Sequence, residues 1–332
     1  MPLPQTMTAL WLENQALRLR QEIPLPEPQA GEALIRVRLA GICATDLELV
    51  RGYYPFAGVP GHEFVGEVVQ ADGSPALVGQ RVVGEINLAC GRCEQCRSGR
   101  TTHCENRRVL GIKNQHGAFA QYLTLPTANL HPVPDNMKDE AAVFAEPLAA
   151  ALEIQEQVDI SPKDRVLVIG AGRLGQLIAR TLQITGCRLA VVARHTHHGT
   201  LLENCGICAL HEGETPDGIW DVVVEATGNP EGFQLARRAV RPRGTIVLKS
   251  TFKGDNVLNL SAVVVDEITL VGSRCGPFQP ALNLLAKHEI DPLPLVEGRY
   301  PLSQGIQAFT HAGQPGALKI LIDPISPEQS QL

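Results

Sequence analysis

Apolar and polar residues alternate with a period of two along several short stretches in the first 140 residues. The clearest run is Leu-Ile-Arg-Val-Arg-Leu at 34–39, and residues 64–69 and 81–83 have a similar β-branched character. Glycine and proline separate these runs. Short alternating runs with frequent turn residues are typical of β-strands, so the pattern predicts a compact, mostly β domain.

The pattern changes after Pro134. Residues 139–158 are rich in Ala, Leu and Glu and predict a long helix, which Pro147 is expected to kink or restart. Beyond this helix, β-branched runs alternate with helical segments, which predicts a parallel sheet with βαβ connections. The predicted strands are 165–169, 188–192, 221–224 and 244–248, followed by a strand pair in 259–272 and a last strand at 318–322.

The composition is that of a folded, two-domain protein. The chain has 332 residues, 44% hydrophobic and 19% charged, with a formal net charge of -6. Basic residues form no long run, which argues against a nucleic-acid partner, and no apolar stretch is long enough to predict a membrane span. The N-terminal residues lack signal-peptide features, and the cysteine usage fits a reducing cytoplasm.

Four cysteines fall within fifteen residues, with two, two and seven residues between them. Short spacers let backbone turns bring four thiolates around one tetrahedral Zn²⁺. Because the protein would fill all four positions, we expect this zinc to be structural. The four ligands are Cys90, Cys93, Cys96 and Cys104.

A glycine-rich turn at 170–175, Gly-Ala-Gly-Arg-Leu-Gly, lies between a predicted strand and a predicted helix at 176–184. In this setting the three glycines are expected to allow a tight turn, close approach of a pyrophosphate, and helix–sheet packing. The helix N-terminus would then offer N–H groups to the phosphates. The predicted cofactor-binding residues here are Gly170, Gly172, Arg173, Leu174 and Gly175.

A residue just after the second predicted strand of the parallel sheet indicates which of the two nicotinamide cofactors the protein binds. NAD sites carry an acidic residue about 20 positions after the glycine-rich turn. This chain has Arg194 there and no acid before Glu203, and an arginine pairs well with a 2′-phosphate, so the sequence favours NADP(H) over NAD(H). If Arg194 instead stacks on the adenine, this residue does not distinguish NADP(H) from NAD(H), and either cofactor can bind. We expect His195, His197 and His198 to lie in a solvated loop beside the adenosine.

Cys43 and His62 supply two ligand types that a catalytic zinc uses. Such a zinc needs three protein ligands and one open position, and a carboxylate would complete the set. Thr45 follows Cys43 by two residues, and we expect its hydroxyl to begin a proton relay from the substrate to solvent. We expect Asp46 to accept the spare ring N–H of His62 and so fix its tautomer.

Except for its last few residues, the chain resembles the zinc-dependent medium-chain alcohol and polyol dehydrogenases, and in particular their sorbitol and threonine dehydrogenase-like branch. The matching segments are GICATD at 41–46, GHEFVG at 61–66, CGRCEQC with Cys104, EPL at 146–148, and GAGRLG at 170–175. The resemblance implies an α/β fold with a GroES-like, mostly β catalytic domain (1–144 and 293–332) and an inserted Rossmann domain (145–292). It also implies a substrate cleft between them and hydride transfer from a zinc-bound alcohol to the nicotinamide.

The same resemblance implies roles for single residues. Glu146 matches the third zinc ligand of the polyol and threonine branches, whereas Glu63 follows the ligand histidine and can approach or leave the metal in relatives, so either carboxylate can bind. Lys319 is expected to contact the pyrophosphate. Glu48 replaces a relay histidine of many relatives, so the relay runs through Glu48 or ends at Thr45 and the ribose.

The resemblance therefore implies an enzyme with two zinc ions per chain that oxidises an alcohol, a polyol or a hydroxy amino acid. It implies a homodimer or a pair of dimers joined through the strands of 259–272. One alternative is a zinc-free quinone or enoyl reductase of the same superfamily, and another is a non-catalytic nucleotide or metal sensor. The Cys205–Cys208 pair indicates helix-end packing rather than redox chemistry.

Overall fold

The structure is a computed structural model that describes residues 3–251 and 259–325. The chain forms two compact units, of which unit 1 contains Met1–Glu146 and Phe278–Leu332 and unit 2 contains Pro147–Pro277. The strands are β1 Thr6–Glu13, β2 Ala16–Pro24, β3 Glu32–Gly41, β4 Glu63–Ala71, β5 Arg81–Gly84, β6 Asn87–Leu88, β7 Arg108–Val109, β8 Tyr122–Pro126, β9 Leu130–Pro132, β10 Arg165–Ile169, β11 Arg188–Val192, β12 Cys208–Leu210, β13 Trp220–Glu225, β14 Val240–Leu248, β15 Thr269–Gly272, β16 Val296–Pro301 and β17 Lys319–Asp323.

The helices share these two units. They are α1 Ala44–Val50, α2 Glu94–Arg97, α3 Asp139–Ala142, α4 Ala145–Gln157, α5 Arg173–Gln183, α6 Thr196–Glu203, α7 Pro230–Ala239, α8 Leu260–Val265, α9 Phe278–Ala286 and α10 Gly305–Ala312. Short 3₁₀ turns lie at Pro75–Leu77, Thr101–His103, Thr127–Asn129, Glu212–Glu214, Leu293–Leu295 and Leu302–Gln304. None of the helices in the described ranges has the length and hydropathy that crossing a membrane requires.

Unit 1 is built on a sheet whose described strands run in the order β16-β17-β3-β4-β5-β9, with β8 also pairing with β3. Its central strand β3 is buried along most of its length, and both of its edges are paired, one with β4 and the other with β8 and β17. The predicted tail strand is present as β17, and it pairs antiparallel with the end of β3 through Leu321 opposite Gly41. Residues near both ends of the sequence therefore meet in one sheet.

Unit 2 contains a parallel sheet with the described strand order β12-β11-β10-β13-β14-β15. The first strand, β10, lies in the middle, and the chain winds outward from it in both directions, as in a dinucleotide-binding Rossmann fold. The α/β fold class and the strands predicted at 165–169, 188–192, 221–224 and 244–248 are confirmed.

Two details differ from the sequence-based expectation. The helix predicted at 139–158 is two helices, and the break at Val143–Phe144 precedes Pro147. Pro147 lies in the first turn of α4, where a backbone N–H needs no helical partner, so it marks the restart of the helix and does not kink it. Unit 1 resumes at Phe278 instead of residue 293, and the Phe278 ring stacks on His131 of unit 1 with centroids 5.4 Å apart.

The strand pair predicted in 259–272 is wrong in its first half. Residues 260–265 form helix α8, and only Thr269–Gly272 form a strand. Asn259 starts the helix because its side chain accepts the N–H of Ala262 at 3.2 Å, which is an N-cap bond. The run Val263-Val264-Val265 resembled a strand by residue type, but Val263 packs on the core of unit 2 while Val264 and Val265 are exposed.

Candidate active site and metal centres

Cys43, His62 and Glu63 form a mixed-ligand cluster in unit 1. The Cys43 sulfur, a ring nitrogen of His62 and a carboxylate oxygen of Glu63 all lie within 4.8 Å of one another. The pairing of β3 with β4 creates this cluster, because it sets Gly41 opposite Glu63 and so brings the two sequence motifs side by side. His62 and Glu63 are buried, and Cys43 is half-buried. One thiol, one imidazole and one carboxylate fit a zinc ion with one position left for substrate.

Asp46 orients two members of this cluster. One carboxylate oxygen accepts the backbone N–H of Cys43 at 2.8 Å, and the other lies 3.3 Å from Nδ1 of His62. Burial alone would lower the pKa of His62, but the Asp46 carboxylate and the Cys43 thiol raise this pKa well above its usual value. The closeness of Asp46 to Nδ1 leaves Nε2 of His62 for a metal, and the hydrogen bond expected between Asp46 and this ring stays a prediction.

Thr45 and Glu48 lie on helix α1, which begins next to Cys43. The Thr45 hydroxyl oxygen is 3.8 Å from the Cys43 sulfur, so a hydroxyl group stands beside the cluster. Glu48 accepts a hydrogen bond from Nη1 of Arg51 at 2.6 Å. Sequence reasoning missed Arg51, although the three-residue spacing from Glu48 was a signal for a helical ion pair.

Lys319 lies against the mixed-ligand cluster, where its ammonium group pairs with the Glu63 carboxylate. The two side chains are 2% and 1% exposed. The contact depends on Gly41, since a Cβ atom there would come within 2.6 Å of Oε2 of Glu63 and 3.2 Å of Cδ of Lys319. The expected contact of Lys319 with pyrophosphate stays a prediction. Glu146, the second residue of α4, is not a member of the cluster that the described residues form.

Cys90, Cys93, Cys96 and Cys104 form a second cluster, the four-cysteine cluster, whose sulfur atoms all lie within 4.8 Å of one another. Backbone N–H groups of Arg92 and Cys93 lower the pKa of Cys90 to about 6, whereas desolvation and the neighbouring thiols raise the pKa of Cys96 to about 12. Sulfurs this close repel one another when ionised. A Zn²⁺ ion removes that repulsion, so the donor set fits a structural zinc.

The glycine-rich turn in unit 2 has the geometry that the sequence predicted. Gly170 has a φ of 103°, which suits glycine, and a Cβ on Gly175 would come within 1.8 Å of the Gly170 carbonyl oxygen. Gly172 begins helix α5, and a Cβ there would meet no atom within 4 Å. The open space at Gly172 and the N-terminus of α5 fit a pyrophosphate group. Arg173 and Leu174 occupy the first turn of the helix and are half-buried.

Arg194 is exposed and lies two residues after the end of β11. The carbonyl of Val192 accepts the N–H of Gly170 at 3.2 Å, so Arg194 stands close to the glycine-rich turn. The solvated loop expected for the three histidines is wrong in part. His195 starts helix α6, whereas His197 and His198 lie within it, and His198 is buried. None of the metal-ligand groups found in the described residues includes them.

Two family models match this chain. The alcohol dehydrogenase GroES-like domain matches residues 29–135, and the zinc-binding dehydrogenase domain matches residues 174–287. The chain is 32% identical over 317 residues to L-galactonate-5-dehydrogenase of Escherichia coli (strain K12), covering 90% of this chain and 93% of that protein. It is 30% identical over 328 residues to a sorbitol dehydrogenase of Halalkalibacterium halodurans, covering 92% and 95%.

A solved structure shares the whole fold. It is described as a zinc-binding dehydrogenase from Sinorhizobium meliloti 1021 bound to NADP. Its TM-score is 0.88 at 27% identity, with 97% of this chain and all of that chain covered.

The chain combines a Rossmann sheet with a GroES-like unit, and that unit carries a thiol–imidazole–carboxylate cluster. This combination defines an NAD(P)-linked, zinc-type dehydrogenase of alcohols. The chain belongs to the zinc-dependent medium-chain alcohol dehydrogenase family. The zinc-free reductase alternative is disfavoured, because such proteins lack the cysteine–histidine pair and the four-cysteine cluster that are present here.

Proposed function

We propose that this protein is a two-zinc dehydrogenase that oxidises a secondary hydroxyl of a polyol or sugar acid and prefers NADP(H). The observation that carries the proposal is the mixed-ligand cluster, in which Cys43, His62 and Glu63 offer one sulfur, one nitrogen and one oxygen donor within 4.8 Å. The relatives named L-galactonate-5-dehydrogenase and sorbitol dehydrogenase support a polyhydroxy substrate. A simple alcohol or a hydroxy amino acid is the alternative within the same chemistry.

Cys43 and His62 would hold the catalytic zinc, together with Glu63 in the arrangement seen here or with Glu146. The four-cysteine cluster would hold the structural zinc. When bound, zinc supplies the Lewis acidity that lowers the pKa of an alcohol, and the nicotinamide accepts the hydride.

The side chains around the mixed-ligand cluster have three further roles, which are orientation of the ligands, proton transfer and charge balance. Asp46 fixes the ring of His62 and the backbone of Cys43. Thr45, with its hydroxyl beside the Cys43 sulfur, accepts the proton of the substrate hydroxyl as it passes its own proton on. From there the proton leaves through Glu48 or directly to the ribose and solvent. Lys319 balances the charge of Glu63 in a buried environment.

The cofactor proposal rests on unit 2. Gly170, Gly172, Arg173, Leu174 and Gly175 would cradle the pyrophosphate, and Arg194 would pair with the 2′-phosphate of NADP(H). The solved relative bound to NADP supports this preference.

We further propose a homodimer, or a pair of dimers, in the cytoplasm. Strand β15 lies at the edge of the sheet formed by the described residues of unit 2, and the preceding helix α8 exposes Val264 and Val265. Both features support association of two chains through this edge of unit 2. None of the nine cysteines, all of which lie in the described residues, forms a disulfide, which supports a reducing compartment.

The test is a substrate panel of simple alcohols, hexitols, aldonates and threonine, run with NADP⁺ and NAD⁺ on protein of measured zinc content. We expect about two zinc ions per chain, as the two clusters require, and turnover of a polyhydroxy substrate. Cys43→Ala should abolish turnover while NADPH binding persists. Retained turnover in this variant would refute the assigned metal role.

A further inference from the structure

The buried side chain of Gln176 joins the glycine-rich turn of unit 2 to helix α6. Its amide nitrogen donates to the carbonyl of Ala171, inside the turn, at 3.2 Å and to the carbonyl of His198, in α6, at 3.0 Å. Gln176 is 0% exposed, so water does not compete for these two hydrogen bonds. The turn proposed to hold the pyrophosphate is therefore tied to the helix that follows Arg194.

A buried arginine sets the orientation of this amide group. Arg180 lies one turn further along α5 and is 6% exposed, and its Nη1 is 3.1 Å from Oε1 of Gln176. A guanidinium group only donates hydrogen bonds, so it must face the oxygen of the amide and not the nitrogen. The two N–H groups of the Gln176 amide are thereby directed at the two carbonyls.

Arg194 lies in a short segment that is attached to the glycine-rich turn at both ends. Before this segment, the Val192 carbonyl accepts an N–H of the turn at 3.2 Å. After it, the His198 carbonyl accepts the Gln176 amide. Only residues 193–197 lie between these two attachment points, so the backbone at Arg194 is held close to the turn from both sides.

The first turn of α6 connects the second attachment point to Arg194. The N–H groups of His198 and Gly199 both donate to the His195 carbonyl, at 3.1 and 3.2 Å. His195 is the N-cap residue of α6 and follows Arg194 directly. A shift of His198 away from the glycine-rich turn would therefore also move the backbone of Arg194. Because charge-assisted hydrogen bonds are short, about 2.7–2.9 Å, a small shift weakens the bond of a guanidinium to a phosphate.

We propose that Gln176 is a positioning residue for cofactor selectivity, which holds Arg194 in place relative to the glycine-rich turn so that NADP(H) is preferred to NAD(H). This inference rests on the proposed function and names a residue that supports its cofactor preference. In NADP(H) a single ribose carries both the 2′-phosphate and the pyrophosphate. The two binding sites on the protein must therefore match one fixed separation, and Gln176 sets that separation.

Stabilisation of unit 2 is the competing explanation for the buried amide. Satisfied buried polar networks make a core more rigid whatever ligand the protein binds. This explanation predicts a lower melting temperature when Gln176 is replaced, and an equal effect on NADPH and NADH. The ratio of the two affinities therefore separates the explanations.

The experiment measures the dissociation constants of NADPH and NADH by fluorescence titration of the zinc-loaded full chain. Gln176→Met keeps the length of the side chain and removes its hydrogen bonds. Thr181→Val is the matched control, because Thr181 is 0% exposed on the same helix and its hydroxyl donates within α5, to the Ile178 carbonyl at 2.9 Å. We expect Gln176→Met to lower the ratio of NADPH to NADH affinity by roughly 3- to 30-fold. The ratio of Thr181→Val should stay within about twofold of wild type.

A double variant distinguishes a loss of positioning from a loss of folding stability. Gln176→Met alone takes an acceptor from the buried guanidinium of Arg180, so its melting temperature should fall. Gln176→Met with Arg180→Met also removes that buried charge. We expect the melting temperature of the double variant to rise above that of Gln176→Met, while the affinity ratio stays low.

Two further readouts test whether Gln176 acts through Arg194. In an Arg194→Gln background, Gln176→Met should change the affinity ratio by less than about twofold, because the residue that it positions is gone. Hydrogen exchange reports on the attachment without any cofactor. The backbone amides of His198 and Gly199 should exchange faster in Gln176→Met than in Thr181→Val.

Two results would overturn the inference. One is a ratio within about twofold of wild type in Gln176→Met, and the other is an equal loss of the ratio with Arg194 present and with Arg194 replaced. A wild-type protein that binds NADH as tightly as NADPH would refute the proposed cofactor preference and this positioning role with it. A wild-type preference for NADPH that Gln176→Met retains would contradict the positioning role alone.

Discussion

Lys319 and Glu63 are 256 positions apart in the sequence and form an ion pair that is almost completely buried. The contact follows from strand order, because β17, β3 and β4 are neighbours in the sheet of unit 1. Lys319 begins β17, Glu63 begins β4, and Gly41 at the end of β3 leaves room for their side chains. The C-terminal strand thereby supplies a charge to the cluster that the N-terminal motifs form.

Removal of this lysine should destabilise the metal-free protein more than the zinc-loaded protein. Lys319→Met leaves the Glu63 carboxylate buried without its cation, which typically costs about 3–5 kcal/mol. Bound zinc offers that carboxylate a second positive partner, so added zinc should recover part of the loss. Differential scanning calorimetry with chelator and with zinc measures both effects.

The double variant Glu63→Gln with Lys319→Met is the matched control, because it removes both charges. We expect it to be more stable than Lys319→Met alone. Equal melting temperatures for the two proteins would contradict an energetic role for the pair.

Two glycines of the same turn should respond differently to an added methyl group. Gly175→Ala would place Cβ 1.8 Å from the Gly170 carbonyl oxygen, so it should disrupt the turn and lower the melting temperature of unit 2. Gly172→Ala meets open space at a φ of -74°, so the fold should persist. Because the pyrophosphate must approach Gly172 closely, this variant should instead weaken NADPH binding by about tenfold or more.

Fluorescence titration with NADPH and calorimetry separate the two outcomes. A Gly172→Ala protein that binds NADPH like the wild type would show that the pyrophosphate does not pass this residue.

The parts of the site that local motifs encode were predictable. The GxGxxG turn and the four cysteines each lie within fifteen residues, and their spacing alone constrains the geometry. The Lys319–Glu63 pair was not predictable, since it depends on which strands become neighbours, and no local pattern near either residue specifies that order. Helix α8 was missed for the opposite reason. Its valines favour a strand locally, but the N-cap bond at Asn259 and the packing of Val263 on the core of unit 2 stabilise a helix instead.

Arg194 should control the choice between NADP(H) and NAD(H). Arg194→Gln removes a charged donor at the end of β11, so the ratio of NADPH to NADH affinity should fall by roughly 10- to 100-fold. Arg188→Gln is the matched control, because Arg188 is exposed at the opposite end of the same strand. Titration of both proteins with each cofactor gives the ratios. An unchanged ratio in Arg194→Gln would favour stacking of Arg194 on the adenine instead.

Asp221 should contribute stability that depends on pH. Burial raises the pKa of this carboxyl, but bonds from Arg241 Nε at 2.6 Å and the Arg165 N–H at 2.8 Å outweigh it and lower the pKa to about 2. A lowered folded-state pKa stabilises the protein above the unfolded value of about 3.9, and the contribution disappears as pH falls toward 2.

Asp221→Asn should therefore cost about 1–2 kcal/mol at pH 7, after allowance for solvent screening, and progressively less below pH 4. Urea unfolding of both proteins between pH 7 and pH 3 measures the difference. A difference that is constant over this range would mean that the charge of Asp221 is not responsible.

The segment between the first and the last cysteine of the four-cysteine cluster, residues 91–103, is here called the cysteine lobe. We expect the bound metal alone to hold this lobe together. Helix α2, which carries Cys96, has no buried residue, so the lobe has little apolar packing of its own. Cys93→Ser should lower the zinc content from about two ions to about one per chain and should expose residues 91–103 to protease. Cys205→Ser, at an exposed thiol in unit 2, is the control and should keep both ions. A Cys93→Ser protein that retains two zinc ions and resists protease would show that this cluster is not the structural metal site.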